Sequence, residues 1–271
     1  MNHLALLAAM SLATQASAAC TRAALQEATT AYVAALAAGK PSWPALSSNA
    51  SYAENDVPMD ITKGVLSAPI AIDFNRSIYD TTGCATFTEI SAPSAKHPYV
   101  INTRLLFTDD KVTGVESVVT DAGDWAFDAA GHLRWAKQER WDVIPEASRD
   151  ARAVIQAAAD AYLDQWANTS IAVPLGTPCA RLEGGSYTGS TDPTANTCRM
   201  PAFPQPLKVA KRRYVVDEEL GAVDVFNGFP WLEASKPADY GTPSSNFIRV
   251  EVGKIRYIHE VTACATKQCG R

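Results

Sequence analysis

Histidine and basic charge are both scarce in this sequence. Its 271 residues include four histidines, and 24 lysines and arginines stand against 29 aspartates and glutamates, which gives a net charge of −5. A chain with a net negative charge is not suited to nonspecific electrostatic binding of nucleic acid or of an anionic membrane. We therefore expect neither nucleic acid nor a membrane as a partner.

The sequence also lacks the short motifs that mark common catalytic sites. It contains no G-x-S-x-G elbow, no H-E-x-x-H, no Walker loop and no G-x-G-x-x-G. It has no C-x₂-C pair, and His97, His132 and His259 are scattered, so we expect no metal site. Any catalysis is expected to need no cofactor and to proceed by acid–base chemistry or by positioning of the substrate.

The N-terminal segment is typical of a signal peptide. The apolar run at residues 4–13 is too short to span a bilayer, and the small residues Ala16 and Ala18 suit a signal peptidase. We predict that residues 1–18 are removed; a lipoprotein acylated at Cys20 is the alternative. The chain is then expected to be secreted or to stay in the lumen of the secretory pathway.

The cysteines and the sequons agree with a secretory chain. An even number of cysteines predicts disulfides, and their distribution favours pairs within each half, although Cys179 or Cys198 could instead bond Cys264. Three Asn-x-Ser sequons are glycosylation acceptors if the host is a eukaryote. The predicted pairs are Cys20–Cys84, Cys179–Cys198 and Cys264–Cys269, and the acceptors are Asn49, Asn75 and Asn168.

An internal repeat divides the sequence into two halves. Residues 22–36, RAALQEATTAYVAAL, align without gaps on residues 152–166, RAVIQAAADAYLDQW, including Tyr32 on Tyr162. Apolar residues fall on one helical stripe in both segments. Strand-turn-strand patterns follow each helix in matching order, and Gly253 suits the last hairpin turn.

The order of elements predicts an α+β fold. One helix followed by an antiparallel meander, repeated over about 130 residues, resembles the cone of NTF2-like and SnoaL-like proteins, here in tandem duplication. We predict a first repeat with a connecting segment at residues 19–145 and a second repeat at residues 146–271. Since the pair already supplies two sheets, we expect a monomer.

Several motifs of the second half resemble those of a secreted fungal family of long-unknown function. They are PCARLEGGSY at 178–187, RRYVVD at 212–217 and FIRVEVGKIRYIHEVTAC at 247–264, with GDWAF at 123–127 between the halves. Some secreted, disulfide-bonded fungal proteins of this general kind are cyclases, including hetero-Diels–Alderases that build tropolone sesquiterpenoids. The resemblance implies a cyclase or isomerase of secondary metabolism.

The last predicted strand carries the candidate catalytic residues. Alternation places Tyr257 and His259 on its mainly apolar face, which we expect to point into the cone. His259 could then move a proton and Tyr257 could donate a hydrogen bond, and a structural histidine is the alternative. The repeat places Glu116 opposite His259, where it either lines a pocket or faces solvent.

Other polar and aromatic residues are candidates for substrate binding. Asp217 and Arg249 either pair with each other, which we favour, or orient a polar group of the substrate. Arg181 and Glu183 are predicted to form an ion pair on the surface. The aromatic residues of the second half predict an apolar pocket there, with Trp231, Phe229 and Tyr240 in its wall.

These residues support two classes of function. The first is a cofactor-independent cyclase or isomerase acting on an apolar small molecule. The second is a secreted binding or effector protein without turnover. An open aromatic pocket would favour an enzyme or a binding protein, and closed halves would favour a purely structural role.

Overall fold

A computed structural model describes residues 20–201, 206–230, 232–233, 236 and 240–269 of the chain. The predicted signal peptide and Trp231 lie outside these described residues. Within the described part, no helix combines the length and the apolar character needed to cross a membrane.

The first half is one helix followed by a six-stranded sheet. Its elements are α1 (Arg22–Ala38), β1 (Leu46–Glu54), β2 (Val57–Pro58), β3 (Phe74–Asp80), β4 (Ala85–Ala92), β5 (Tyr99–Thr108) and β6 (Lys111–Thr120). Thr21 begins the helix, because its Oγ1 accepts from the N–H of Ala24, and Gly39 ends it with φ at +64°. The strand order is β2-β1-β6-β5-β4-β3, with β1 and β6 parallel and the other neighbours antiparallel.

The second half repeats this plan. A short helix, α2 (Ala129–Ala136), precedes it, and its elements are α3 (Arg152–Asp164), β7 (Leu175–Glu183), β8 (Ser186–Tyr187), β9 (Ala210–Asp217), β10 (Ala222–Phe229), β11 (Thr242–Glu251) and β12 (Lys254–Thr262). The strand order is β8-β7-β12-β11-β10-β9, again with the first long strand parallel to the last. The predicted α+β class and the tandem helix-plus-sheet plan are confirmed.

Each sheet has one face toward its own helix and one toward the other sheet. On the helix faces, the aligned Tyr32 and Tyr162 are both buried, one in each half. On the inter-sheet faces, Phe87 of the first sheet contacts Phe226 and Phe247 of the second. Burial of apolar side chains on both faces therefore joins the two repeats into one packed unit.

Two reciprocal ion pairs join the halves. Arg22 of α1 donates to Asp217 of the second half over 3.0 Å, and Arg152 of α3 donates to both oxygens of Asp80 in the first half over 2.6 and 2.7 Å. Each aspartate also accepts a backbone N–H from the opposite half, from Tyr79 or Val216 respectively. The arrangement is that of a pseudo-twofold interface, in which equivalent residues make equivalent contacts.

The three predicted disulfides are confirmed. Cys20 bonds Cys84 in the first half, and Cys179–Cys198 and Cys264–Cys269 form in the second. None of them crosses between the halves, so the halves are joined through packing and ion pairs. Three disulfides fit a protein that passes through an oxidising compartment.

Candidate functional site

The two faces of β12 carry different groups. The pairing of β12 with β11 shifts between Val250–Ile255 and Arg249–Tyr257, because Arg256 is an extra, bulged residue. Beyond this bulge, Glu260 shares the helix face with the apolar core, whereas His259 turns to the first sheet. The prediction that Tyr257 and His259 point into the cone is therefore wrong.

His259 belongs to a buried polar group that we call the inter-sheet cluster: Glu89 of β4, His132 of α2, Glu139 and His259. His259 Nδ1 lies 2.6 Å from Glu89 Oε1, and its Nε2 lies 2.5 Å from Glu139 Oε2. Arg76 of β3 donates to the other oxygen of Glu89 over 3.2 Å. The cluster therefore joins side chains of the first sheet, of the second sheet and of the segment that connects the two halves.

The charges of the inter-sheet cluster compensate one another. Burial alone would lower the pKa of His259, but Glu139 and Glu89 raise it to about 9. Burial alone would raise the pKa of Glu89, but His259 and His132 hold it well below its usual range. As an imidazolium, His259 bridges two carboxylates, and Arg76 supplies the second positive charge.

Three members of the cluster could hold a metal ion together. The donor atoms of Glu89, His132 and His259 all lie within 4.8 Å of one another, and the three side chains are buried. Two imidazoles and a carboxylate are common ligands of zinc and other first-row transition metals.

Tyr257 and Arg249 lie away from this cluster's centre, beside a groove of about 500 Å³ that Arg140 and Arg256 also line. The ring of Tyr257 stacks on Trp141 with centroids 5.9 Å apart. Neither residue is brought into the interior of the second cone. Their predicted roles in catalysis and substrate binding stay predictions.

The expected Asp217–Arg249 pair does not form. Asp217 is paired with Arg22, as described above, and Arg249 donates to Glu251 over 2.9 Å. Asp217 lies on β9 and Arg249 on β11, with Ala222 of β10 between them. Asp217 is paired across the halves instead, and Arg249 is paired within its own strand. Tyr240 is 38% exposed and donates to the backbone of Asp56, so it lies on the surface between the halves.

The second half contains a cavity of about 210 Å³ on the helix face of its sheet, which we call the second-half cavity. Phe229 lines it, as predicted, while Trp231 lies outside the described residues. Its apolar lining is Trp125, Trp166, Met200, Pro201, Phe229 and Leu232, and its polar lining is Arg181, Glu183 and Glu260.

The polar wall of the second-half cavity is nearly closed to solvent. Arg181 is 9% exposed and donates to Glu183 over 2.6 Å, so the prediction of a surface pair is wrong. Glu260 is 7% exposed and accepts from Thr262 Oγ1 over 2.7 Å. Burial and the neighbouring Glu183 raise the pKa of Glu260 to about 7. A carboxyl group of this kind can exchange a proton near neutral pH.

Asn246 adds a hydrogen-bond donor to the same face. It is the direct partner of Glu260 across β11 and β12, so both side chains lie on the helix face. Its Nδ2 is buried and has no partner among the described residues. Buried amide groups normally have partners, and an unpartnered one next to Glu260 of the cavity wall is a place where a ligand could accept a hydrogen bond.

The equivalent positions of the first half are occupied differently. Tyr32 bonds Thr103 over 2.7 Å and Thr103 bonds Ser117 over 2.8 Å, all within the buried core. The strand registers place Thr103 at the position of Asn246 and Ser117 at that of Glu260. Neutral hydroxyl groups therefore satisfy one another where the second half carries buried charge.

Glu116, the equivalent of His259, also lies on the inter-sheet face. It accepts from Arg104 over 2.7 Å and from Arg213 of the other half over 3.1 Å. The repeat correctly matched the two positions, and neither lines a cone.

The three predicted glycosylation acceptors are all exposed, as attachment of a glycan requires. They are Asn49, Asn75 and Asn168.

The roles of the acidic residues in both sites were not predicted from the sequence. Glu260 could have been recognised because it is a carboxylate in the middle of a strand that is otherwise rich in apolar residues. Glu89 has a similar signal, because it is the only charged residue of β4, whose sequence is ATFTEISA. Glu139 follows α2 in the connecting segment and carries no such signal.

Part of the chain matches a known family model. No curated protein matches the chain. The model of a family described as a domain of unknown function (DUF8021) matches residues 148–262, which span the second repeat from before α3 to the end of β12 and contain Arg181, Glu183, Asn246 and Glu260.

Proposed function

We propose that the chain is a secreted, cofactor-independent enzyme of the cyclase or isomerase type, and that it acts on an apolar small molecule in the second-half cavity. One observation carries the proposal: Glu260 places a nearly buried carboxyl group in the wall of an otherwise aromatic and aliphatic cavity. Burial of a carboxyl group is costly, so its position there argues for a chemical task.

The side chains that line the cavity, and Asn246 beside Glu260, have different roles in this proposal. Phe229, Trp166 and Leu232 offer apolar surface that holds a hydrocarbon skeleton in one conformation. Such positioning can lower a barrier by up to about 7–11 kcal/mol. Arg181 and Asn246 are donors for an oxygen on which negative charge develops. Glu260 then gives or accepts a proton at the reacting skeleton, a contribution of about 10²–10⁴-fold in rate.

The resemblance to secreted fungal proteins makes the proposal more specific. A cyclisation in secondary-metabolite assembly, including a hetero-Diels–Alder cycloaddition on a terpenoid or polyketide, needs orientation and one polarising group rather than a cofactor. The cavity of about 210 Å³ is smaller than the roughly 300–1,000 Å³ usual for ligand pockets. It therefore accepts a compact substrate, or the reacting end of a larger one.

Binding is tested by native mass spectrometry of the chain after incubation with a fungal metabolite extract. We expect a retained small molecule on the wild-type chain and none on Leu232→Trp, in which an indole fills the cavity. Val154→Trp is the matched control, because Val154 is 43% exposed on α3 and does not line the cavity. Retention that is equal in all three chains would contradict binding in this cavity.

Turnover is tested with the retained metabolite. Glu260→Gln keeps the shape and the hydrogen bond from Thr262 but cannot exchange a proton, so we expect a loss of about 10²–10⁴-fold in rate. Glu27→Gln on the exposed side of α1 is the control. Retention of an unchanged metabolite by every chain would instead indicate a binding protein without turnover.

A further inference from the structure

The inter-sheet cluster has a feature that its hydrogen bonds leave unexplained. His132 is fully buried, its Nδ1 lies 2.7 Å from Ser91 Oγ, and its Nε2 has no hydrogen-bond partner among the described residues. This Nε2 lies 3.5 Å from Glu89 Oε1, which is longer than an ordinary N–H···O hydrogen bond. A buried polar atom without a partner destabilises the fold, so its presence in the core indicates a ligand.

The orientation of the two histidines follows the pattern of a metal site. In His259 the Nε2 is held by Glu139 and the Nδ1 faces Glu89; in His132 the Nδ1 is held by Ser91 and the Nε2 faces the same oxygen. Metal-binding histidines characteristically give their second nitrogen to a carboxylate or another polar group, which fixes the ring. His259 Nδ1 and His132 Nε2 thus lie near the same carboxylate oxygen.

The carboxylate ligand is oriented in the same way. Glu89 Oε1 faces both imidazoles, while Arg76 donates to Oε2 and in turn donates to the backbone oxygen of Ala136 over 2.7 Å. Partners of this kind, bonded to the ligands rather than to the ion, typically change metal affinity by about 10–100-fold.

We propose that Glu89, His132 and His259 bind one divalent first-row transition metal, with zinc as the best match to the donor set. Zinc accepts two imidazole nitrogens and one carboxylate oxygen. The site lies on the opposite face of β12 from the second-half cavity, and it joins the first sheet, α2 and the second sheet. The ion stabilises the packing of the two repeats and is independent of the proposed reaction.

Binding requires a small rearrangement and the release of a proton. Ligand atoms around a tetrahedral ion with bonds of about 2.0–2.2 Å lie about 3.3–3.6 Å apart, whereas Glu89 Oε1 and His259 Nδ1 are separated by 2.6 Å. The two ligand atoms must therefore move apart by about 0.7–1.0 Å, a shift that rotation of the two side chains can supply. The proton shared between them leaves to solvent as the ion enters. Because all three side chains are buried, the ion enters as the chain folds.

Elemental analysis and refolding test the site. The wild-type chain, purified and dialysed against metal-free buffer, is expected to retain about one transition-metal ion per chain. After unfolding in guanidinium with a chelator, with the disulfides intact, refolding with Zn²⁺ should give a higher midpoint of unfolding than refolding without it. His132→Asn, which keeps the contact with Ser91 but lacks the Nε2, should lose the ion and the Zn²⁺ dependence.

The matched control is His97→Asn, which alters a histidine that is 56% exposed and pairs with Asp121. It should bind metal as the wild-type chain does. If His132→Asn does not fold, the proposal is still tested by comparing the wild-type chain refolded with Zn²⁺ and without it. A wild-type chain that is purified without metal, and whose midpoint of unfolding is the same with and without Zn²⁺, would overturn the proposal. The cluster would then be a hydrogen-bonded network without an ion.

Discussion

At the scale of single residues, buried charge distinguishes the two faces of β12. Glu260 and His259 are adjacent in sequence and point to opposite sides, one toward an apolar cavity and the other toward two carboxylates. The carboxyl group of Glu260 accepts a hydrogen bond from Thr262 and forms no salt bridge with a described residue. The charge of His259 is balanced by Glu89 and Glu139. Unpaired buried charge is the more informative of the two, because a compensated cluster can serve stability alone.

His259 gives the first prediction at this scale. His259→Gln leaves Glu89 and Glu139 buried without their shared cation, so we expect the free energy of unfolding to fall by about 3–5 kcal/mol. Urea denaturation measures the loss, and His97→Gln is the exposed control. A folded His259→Gln of unchanged stability that has lost turnover would restore His259 as a catalytic residue.

Asp224 of β10 gives a prediction for pH dependence. Burial raises the pKa of Asp224 to about 8, although a hydrogen bond from Ser245 and the charge of Arg104 oppose the shift. Between the ordinary carboxyl pKa and pH 8, the folded chain holds a proton that the unfolded chain has lost. Stability from this group is therefore complete at low pH and is lost as the pH rises toward 8.

Asp224→Asn tests that sign. The amide keeps the bond from Ser245 and cannot ionise, so the variant should gain stability relative to the wild-type chain as the pH increases from 5 to about 8. Denaturant titrations across this range measure the difference. A constant difference between the two chains would contradict the assignment of the titration to Asp224.

At the scale of elements, the repeated helices and hairpins were predictable and the faces of β12 were not. Alternation places Ile255 and Tyr257 on one face, but the bulge at Arg256 separates them. Inserting one residue in a strand reverses the face of every side chain beyond it, and a single sequence does not mark where this happens. Helix α2 was also missed, although Asp128 caps it by accepting from the N–H of Gly131.

The turn between β11 and β12 offers a stabilising change. Val252 and Gly253 both have positive φ, at +53° and +65°, which is the conformation of a type I′ turn. A β-branched side chain is strained there, and Val252 is 74% exposed, so its side chain contributes little packing. Val252→Asn should raise the free energy of unfolding by about 1 kcal/mol.

Val154→Asn is the control for that change, because it makes the same substitution at a partly exposed helix position without positive φ. It should not stabilise the chain. Thermal unfolding compares the two variants, and a Val252→Asn chain less stable than the wild type would show that the turn tolerates valine without strain.

At the scale of the whole molecule, the repeats are held by equivalent contacts that the sequence had only partly revealed. The alignment paired Arg22 with Arg152, and the structure adds that each reaches an aspartate of the opposite half. Sequence repetition shows which positions are equivalent; it does not show whether their partners lie in the same half or the other. The inter-sheet cluster was unpredictable for the same reason, since Glu89 and His259 are 170 residues apart.

Removing one of these links should weaken the whole molecule. Arg152→Ala leaves Asp80, which is 1% exposed, without its bidentate partner, and we expect a loss of about 3 kcal/mol. Arg212→Ala is the comparison, because its partners Asp160 and Asp164 are partly exposed and such pairs contribute about 0–1 kcal/mol. Equal losses in the two variants, measured by urea denaturation, would contradict the importance of the reciprocal pairs.

The most direct test of the central claim is a crystal structure of the chain loaded with the metabolite that it retains. We predict density in the second-half cavity, against Phe229, with an oxygen of the ligand within hydrogen-bond distance of Arg181 or Asn246 and the reacting carbon skeleton beside Glu260. A ligand bound in the groove at Tyr257 and Arg249, with the second-half cavity left to solvent, would contradict the account.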